Sequence, residues 1–202
     1  MQTQSTEIIF LLDRSGSMNI CEEDVIGGYN SFLDRQKQDN SQAFVTTVLF
    51  DNRYELLHDH VEIHNIEHIS GKEYFARGTT ALLDAIGLTI SNVSERQSKS
   101  KNISQTIMVI MTDGLDNVSK KYRIKNIYEM IQEQQKNNNW EFIFLGANID
   151  AIKTANSIGI SSERASNFTT NTEGLNRKFT GISKTVTHFR TSGKINNDWK
   201  SD

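Results

Sequence analysis

Two kinds of apolar pattern alternate along the chain. The first is the short unbroken run, as in Glu7–Leu12 (EIIFLL), Ala43–Phe50 (AFVTTVLF), Gln105–Met111 (QTIMVIM) and Trp140–Leu145 (WEFIFL). Runs of this length, rich in β-branched and aromatic residues, predict strands, and the continuous ones predict strands buried on both faces. The second is a stripe with helical spacing. Val25, Tyr29, Phe32 and Leu33 share one face of a helix predicted over Glu22–Gln38. Leu82, Leu83, Ile86, Ile90 and Val93 point inward from a helix predicted over Thr80–Ser94, and Ile124, Ile127, Tyr128 and Ile131 do so over Arg123–Lys136. The clearest stripe is the last, Leu175, Phe179, Ile182, Val186 and Phe189. Such a stripe serves either a partner or the core, and core is the reading adopted here.

Lesser elements complete the pattern. Asp51-Asn52 marks a tight turn, and Tyr54–Val61 reads as the returning hairpin strand. A short helix is expected from Asp150 to Ile158, capped by Asp150, and a short last strand over Asn167–Thr170. The resulting order, β-α-β-β-α-β-α-β-α, predicts an α/β fold: an open, doubly wound, mostly parallel sheet with one antiparallel edge strand and helices on both faces. The 202 residues suit a single domain, and no internal repeat, linker or low-complexity stretch divides them. In such sheets ligands bind at the carboxyl ends of the strands, where the strand order reverses.

That rule singles out three clusters of oxygen-bearing side chains. Asp13, Ser15 and Ser17 fall on alternate positions just after the first apolar run, with Gly16 allowing a tight path between them. Thr112-Asp113-Gly114 ends the QTIMVIM run in the same way. Arg77-Gly78-Thr79-Thr80 precedes the second helix. Brought together, these residues would surround a point with carboxylates and hydroxyls, and with no imidazole or thiolate. Hard oxygen donors of this kind suit Mg²⁺, with Mn²⁺ or Ca²⁺ as alternatives, rather than zinc.

The three segments, D-x-S-G-S, G-T-T before a helix and T-D-G after a buried strand, resemble the von Willebrand factor A domain. The resemblance spans about residues 6–192 and is closest to compact intracellular members from bacteria and their phages. It implies a metal-ion-dependent adhesion site, with Asp13, Ser15, Ser17 and Asp113 as ligands. The family's threonine lies six positions before an apolar helix residue, and Thr80, six before Ile86, fits that spacing better than Thr79. The resemblance further implies a Mg²⁺-dependent protein-binding module whose ion is completed by an aspartate or glutamate of a partner protein, and not an enzyme. The alternative is a Mg²⁺-dependent phosphohydrolase of the Asp-x-Asp kind, but here Ser15 stands at the third position and no general base is visible.

Composition narrows the remaining choices. A net charge of −3 gives nothing to draw the chain to nucleic acid or an anionic membrane. The opening segment carries no basic region, and its apolar run is too short to be a leader or a membrane span, so a cytoplasmic location is expected. The single cysteine, Cys21, excludes an internal disulfide and reads as a bystander beside the first oxygen cluster. Proline is absent, where average usage of about 5% would give roughly ten. His58, His60, His64 and His68 crowd one stretch and are read as the polar face of an edge strand and its loop rather than a zinc site. Asp84 either supports the oxygen cluster from behind or lies on a solvated helix face, while Asp116 and Asn117 read as turn residues.

Overall fold

A computed structural model describes residues 5–99, 103–196 and 198–200; the outermost ends of the expected 1–202 domain lie outside the described residues. Among the described residues six strands form one sheet: β1 (Thr6–Asp13), β2 (Ala43–Phe50), β3 (Tyr54–Glu62), β4 (Gln105–Thr112), β5 (Trp140–Gly146) and β6 (Ala165–Asn167). Five α-helices among those residues connect or follow them: α1 (Glu22–Lys37), α2 (Leu82–Lys99), α3 (Ile124–Asn137), α4 (Ala151–Ser157) and α5 (Thr172–Ser192). The strand order is β3-β2-β1-β4-β5-β6. All neighbours run parallel except β2 and β3, so the antiparallel hairpin strand stands at an edge, as the sequence predicts.

The sheet separates two apolar layers, and β1 feeds both. Ile8, Phe10 and Leu12 pack with Val25, Tyr29 and Phe32 of α1 and with Leu175, Phe179 and Ile182 of α5. Ile9 and Leu11 pack with Ile86 and Ile90 of α2, Ile127 and Ile131 of α3 and Ala151 of α4. This alternation is the two-residue period of a strand buried on both faces. All eight residues of β1 and of β4 are buried. The α5 stripe is core, as expected, and α5 ends at Gly193, whose φ of 69° supplies the left-handed cap.

Four details differ from the sequence reading. The second helix begins at Leu82 rather than Thr80. The reason is local: the Thr80 amide donates to the Asn117 carboxamide at 3.1 Å and the Ala81 amide to the Asp51 carbonyl at 2.9 Å, which holds both residues ahead of the helix. That helix also continues past Ser94 to Lys99, its last turn carrying a Lys99–Glu95 ion pair. The last strand is Ala165–Asn167, not 167–170, because buried Ala165 pairs with Phe144 and the ladder ends when the Phe168 amide reaches the Gly146 carbonyl. Finally, Ile124 and Tyr128 of the α3 stripe are 50% and 46% exposed instead of buried. Ile124 is the first residue of its helix and lines an open groove, and the Tyr128 ring lies along Gly159 at the surface.

The order of strands reverses between β1 and β4: the chain leaves β1 toward β2 on one side and returns to β4 on the other. The crevice predicted for a ligand therefore lies between the carboxyl ends of β1 and β4, where Asp13 and Asp113 stand.

Candidate metal centre

Asp13 is the last residue of β1 and is fully buried. One carboxylate oxygen accepts the Ser15 amide at 2.7 Å, and the other accepts the Thr112 hydroxyl at 2.5 Å. The first bond folds the chain back over the strand end; the second ties β1 to β4. The next residue turns the other way. The Arg14 guanidinium is buried, lies 3.3 Å from Asp51 and 2.5 Å from Glu55, and donates to the Glu73 carbonyl. Its charge is thus compensated away from Asp13.

The two serines continue the crevice. Ser17 is exposed and its hydroxyl donates to Asp113 Oδ1 at 2.7 Å, joining the first cluster to the second. The Ser15 and Ser17 hydroxyl oxygens stand 3.4 Å apart. Asp113 is 5% exposed and follows β4 directly. Thr80 joins from the third segment: it is buried, and a Cβ built on Gly114 would stand 3.4 Å from its hydroxyl oxygen. Thr79, by contrast, is exposed. The structure therefore gathers Asp13, Ser15, Ser17, Thr80 and Asp113 at one end of the sheet.

Tyr74, which the sequence reading did not single out, and several residues that it read differently hold this arrangement. The Tyr74 hydroxyl, fully buried, donates to the Asp13 carbonyl at 2.6 Å. The Gly16 amide donates to the Gly78 carbonyl at 3.1 Å, with Gly78 at a φ of 68° that favours glycine. Asn117 does more than make a turn: its carboxamide accepts the Thr80 amide and its own amide donates to the Thr80 carbonyl at 3.0 Å. Asp116 accepts the Leu83 amide and the Ser119 hydroxyl, capping the start of α2. Asp84 fits neither reading offered above. Its carboxylate accepts the amides of Lys120, Lys121 and Tyr122 at 2.8–2.9 Å and so fixes the loop between β4 and α3.

The electrostatics of the crevice are unbalanced. Burial pushes the Asp13 carboxyl up to about 6, against the opposing bonds from Thr112 and Ser15, and the charge of Asp113 raises it further. Burial also raises Asp113, against its bond from Ser17. Among the described residues neither carboxylate has an ion-pair partner. Two buried anionic groups without a cation are costly. A divalent cation would compensate both, and the hydroxyls of Ser15, Ser17 and Thr80 would add neutral oxygen ligands. The donor set thus fits a hard divalent ion.

Other candidates disperse. Burial pushes the Cys21 thiol up to about 12, and it donates to the Met18 carbonyl, so no thiolate stands by the crevice. His64 pairs with Glu62 and His68 with Asp34, while His60 stacks on Phe44 with centroids 4.1 Å apart. Among the described residues no three His, Cys, Asp or Glu side chains group as a metal site. Glu22, the next carboxylate along the chain after Asp13, accepts the Ala76 amide at 2.6 Å. No helix among the described residues is long and apolar enough to cross a membrane.

Comparison with known proteins agrees with this fold. The model of the von Willebrand factor type A domain matches residues 7–182. No curated protein matches the sequence. Among solved structures, the chain is similar to proximal thread matrix protein 1 from the mussel byssus with a zinc-occupied MIDAS motif (TM-score 0.62, 18% identity, 92% of this chain and 46% of that chain). It is also similar to the PilB minor pilin from Streptococcus sanguinis (TM-score 0.67, 12% identity, 95% and 64%). A third likeness is to the SpRpn10 VWA domain (TM-score 0.56, 15% identity, 89% and 94%). The chain spans less than half the length of the mussel protein it matches. At these identities the likenesses concern the fold.

Proposed function

The chain belongs to the von Willebrand factor type A family, which commonly mediates metal-dependent protein interactions, and on that premise we propose that it is a protein-binding module that captures an acidic side chain of a partner through a bound Mg²⁺. Asp13, Ser15, Ser17, Thr80 and Asp113 are the proposed ligands, with Mn²⁺ or Ca²⁺ able to take the same place. The observation that carries this reading is the pair of buried carboxylates, Asp13 and Asp113, with no ion-pair partner among the described residues and three hydroxyls beside them.

When bound, the ion supplies an electrophilic site for one further anionic oxygen. The chain's own residues do the rest. Asp13 is held by Ser15 and Thr112 so that its carboxylate cannot rotate away. Ser17, exposed at the mouth, leaves the outward side open to a partner. Ser15, standing where hydrolases of the Asp-x-Asp kind carry their second acid, favours capture over hydrolysis. The lone, buried Cys21 accords with a cytoplasmic location.

A Mn²⁺ titration followed by electron paramagnetic resonance tests the proposal. One ion should bind per chain, and an Asp13→Ala, Asp113→Ala double variant should lose it. Acetate, offered as a minimal carboxylate, should perturb the spectrum of the bound ion. One equivalent still bound by the double variant would refute the assignment. Mg²⁺-dependent turnover of p-nitrophenyl phosphate, abolished by Asp13→Asn, would install the phosphohydrolase reading instead.

A further inference from the structure

The loops that carry the proposed ligands also carry exposed apolar side chains. Ile20 follows Ser17 by three positions and is 64% exposed; Leu115 follows Asp113 by two and is 58% exposed. Phe75 precedes Thr80 on the third segment and is 38% exposed, with the Arg77 guanidinium 5.0 Å from its ring centroid. Leu115 borders a groove of about 500 Å³ that runs from the start of α2 to the start of α4. Leu82, Leu83, Ile124, Ile149 and Ile158 also line it. Ile124 occupies a position whose spacing predicts core, yet it is 50% exposed and borders this groove.

The charges of the groove select what can fill it. Asp116 is engaged by the Leu83 amide and the Ser119 hydroxyl, and Asp150 caps α4 by accepting the Lys153 amide. The Lys153 ammonium, which also lines the groove, makes no hydrogen bond or ion pair among the described residues. The groove therefore presents an apolar middle, two carboxylates already engaged by hydrogen bonds, and at its α4 end the ammonium of Lys153. Its other end is lined by Leu115 and Asp116, the second and third residues after Asp113, and by Leu82 and Leu83, which follow Thr80 closely. With an ion in the crevice of Asp113, that ion and the Lys153 ammonium are the two positive points flanking the apolar middle.

We propose that the partner presents an extended acidic–apolar–acidic segment: one carboxylate on the metal, a large aliphatic or aromatic side chain in the groove beside Leu115 and Ile124, and a second carboxylate toward Lys153. This rests on the metal-capture reading above and adds to it the part of the partner that confers specificity. A groove of this size lies within the range of about 300–1,000 Å³ typical of binding sites and holds more than one side chain. A metal–carboxylate contact alone does not discriminate among the many acidic residues on protein surfaces; a neighbouring apolar anchor does.

The test is selection of random peptides displayed on phage against the full chain in Mg²⁺, followed by anisotropy titration of the enriched peptides. The expected result is enrichment of sequences with an acidic residue close to Leu, Ile, Phe or Trp, released by EDTA. Leu115→Ser with Ile124→Ser should weaken those peptides roughly tenfold or more. Lys153→Glu should weaken them further at low salt than at high salt. Neither change should alter Mn²⁺ affinity, and both fall on exposed positions where the fold tolerates them. Metal-dependent peptides without apolar preference, and indifferent to the Leu115 and Ile124 changes, would overturn the groove while leaving metal capture standing. Apolar peptides that survive EDTA would overturn the coupling of groove and ion. No metal-dependent peptide at all would overturn both. A metal-loaded chain that dimerises in sedimentation, and is made monomeric by the same double change, would assign the groove to a second copy and overturn the proposal.

Discussion

Replacing Asp13 by asparagine should stabilise the metal-free protein and abolish its response to metal, two effects of opposite sign from one substitution. Burial pushes this carboxyl to about 6, some two units above the usual aspartate value, so holding it ionised at neutral pH costs about 3 kcal/mol. Asparagine avoids that cost and keeps the shape. It can still accept the Ser15 amide, and its NH₂ can donate to the Thr112 hydroxyl in place of the bond now running the other way. The bonds from Thr112 and Ser15 to the charged form are already contained in the value of about 6, so the net gain is about 3 kcal/mol. For a chain of this length that is a rise of about 6–12 °C in Tm at pH 7 in EDTA. The wild type should gain about 2.7 kcal/mol, or about 5–11 °C, from metal at 100 times its Kd, and the variant nothing. Scanning calorimetry in EDTA and in Mg²⁺ reads both effects. The reasoning fails if Asp13→Asn melts below the wild type by the same margin in both buffers. Such a result would make Asp13 a structural residue whose charge the fold already tolerates.

Three further outcomes follow from single contacts. Tyr74→Phe leaves the buried Asp13 carbonyl without the bond at 2.6 Å and should cost about 1–2 kcal/mol, equally in EDTA and Mg²⁺, as read by urea denaturation. Asp84→Ala removes the acceptor of three amides. Burial alone would raise the Asp84 carboxyl, but those amides hold it below its usual value, so its contribution is full above about pH 4 and is lost as pH falls through the lower folded value. The gap between wild type and Asp84→Ala should accordingly be widest near pH 7 and close below about pH 4 in pH-dependent melts. Gly27→Ala and Gly28→Ala, adjacent on α1, should differ in sign. Nothing lies within 4 Å of a Cβ at Gly27, so alanine should add about 0.5–1 kcal/mol, whereas a Cβ at Gly28 would stand 2.1 Å from the Phe179 ring and should cost about 1–3 kcal/mol by parting α1 from α5.

Much of this architecture can be read from local pattern because the strands of a two-faced parallel sheet have no polar face to disguise them. EIIFLL, QTIMVIM and WEFIFL are continuous because β1, β4 and β5 have helices on both sides. Asp13 and Asp113 are legible for a related reason: each is the first charge after such a run, and the end of the run is the end of the strand. What escapes the sequence is whatever depends on contact across the chain. Tyr74 reaches Asp13 over 61 positions and Asn117 reaches Thr80 over 37, and no spacing announces either. The start of α2 is displaced for the same reason, since Asn117 and Asp51 claim the amides that would otherwise open the helix. Ile124 and Tyr128 show the limit of periodicity itself. A stripe identifies a face of a helix, but not how far along that face another layer extends.

The distribution of charge along β1 argues for an external cation independently of any family likeness. Three ionisable residues stand at the ends of this buried strand, and all three are fully buried: Glu7 at the start, Asp13 and Arg14 at the finish. Glu7 is compensated within the chain by Arg96, with Thr46 and Gln97 adding hydrogen bonds. Arg14 is compensated by Asp51 and Glu55. Asp13 is not, although the Arg14 guanidinium is carried by the very next residue. A fold that neutralises two of three buried charges with its own side chains has the means to neutralise the third, and a lysine at Ser17 or Thr80 would do so. Instead both positions carry hydroxyls, and a second acid, Asp113, is added beside Asp13. Each of these choices worsens the metal-free state and improves oxygen coordination of a cation. A lysine placed at Ser17 should therefore raise the melting temperature in EDTA and eliminate the response to Mg²⁺ and to any acidic peptide. A Ser17→Lys variant that kept its metal response would show that the ion is held elsewhere.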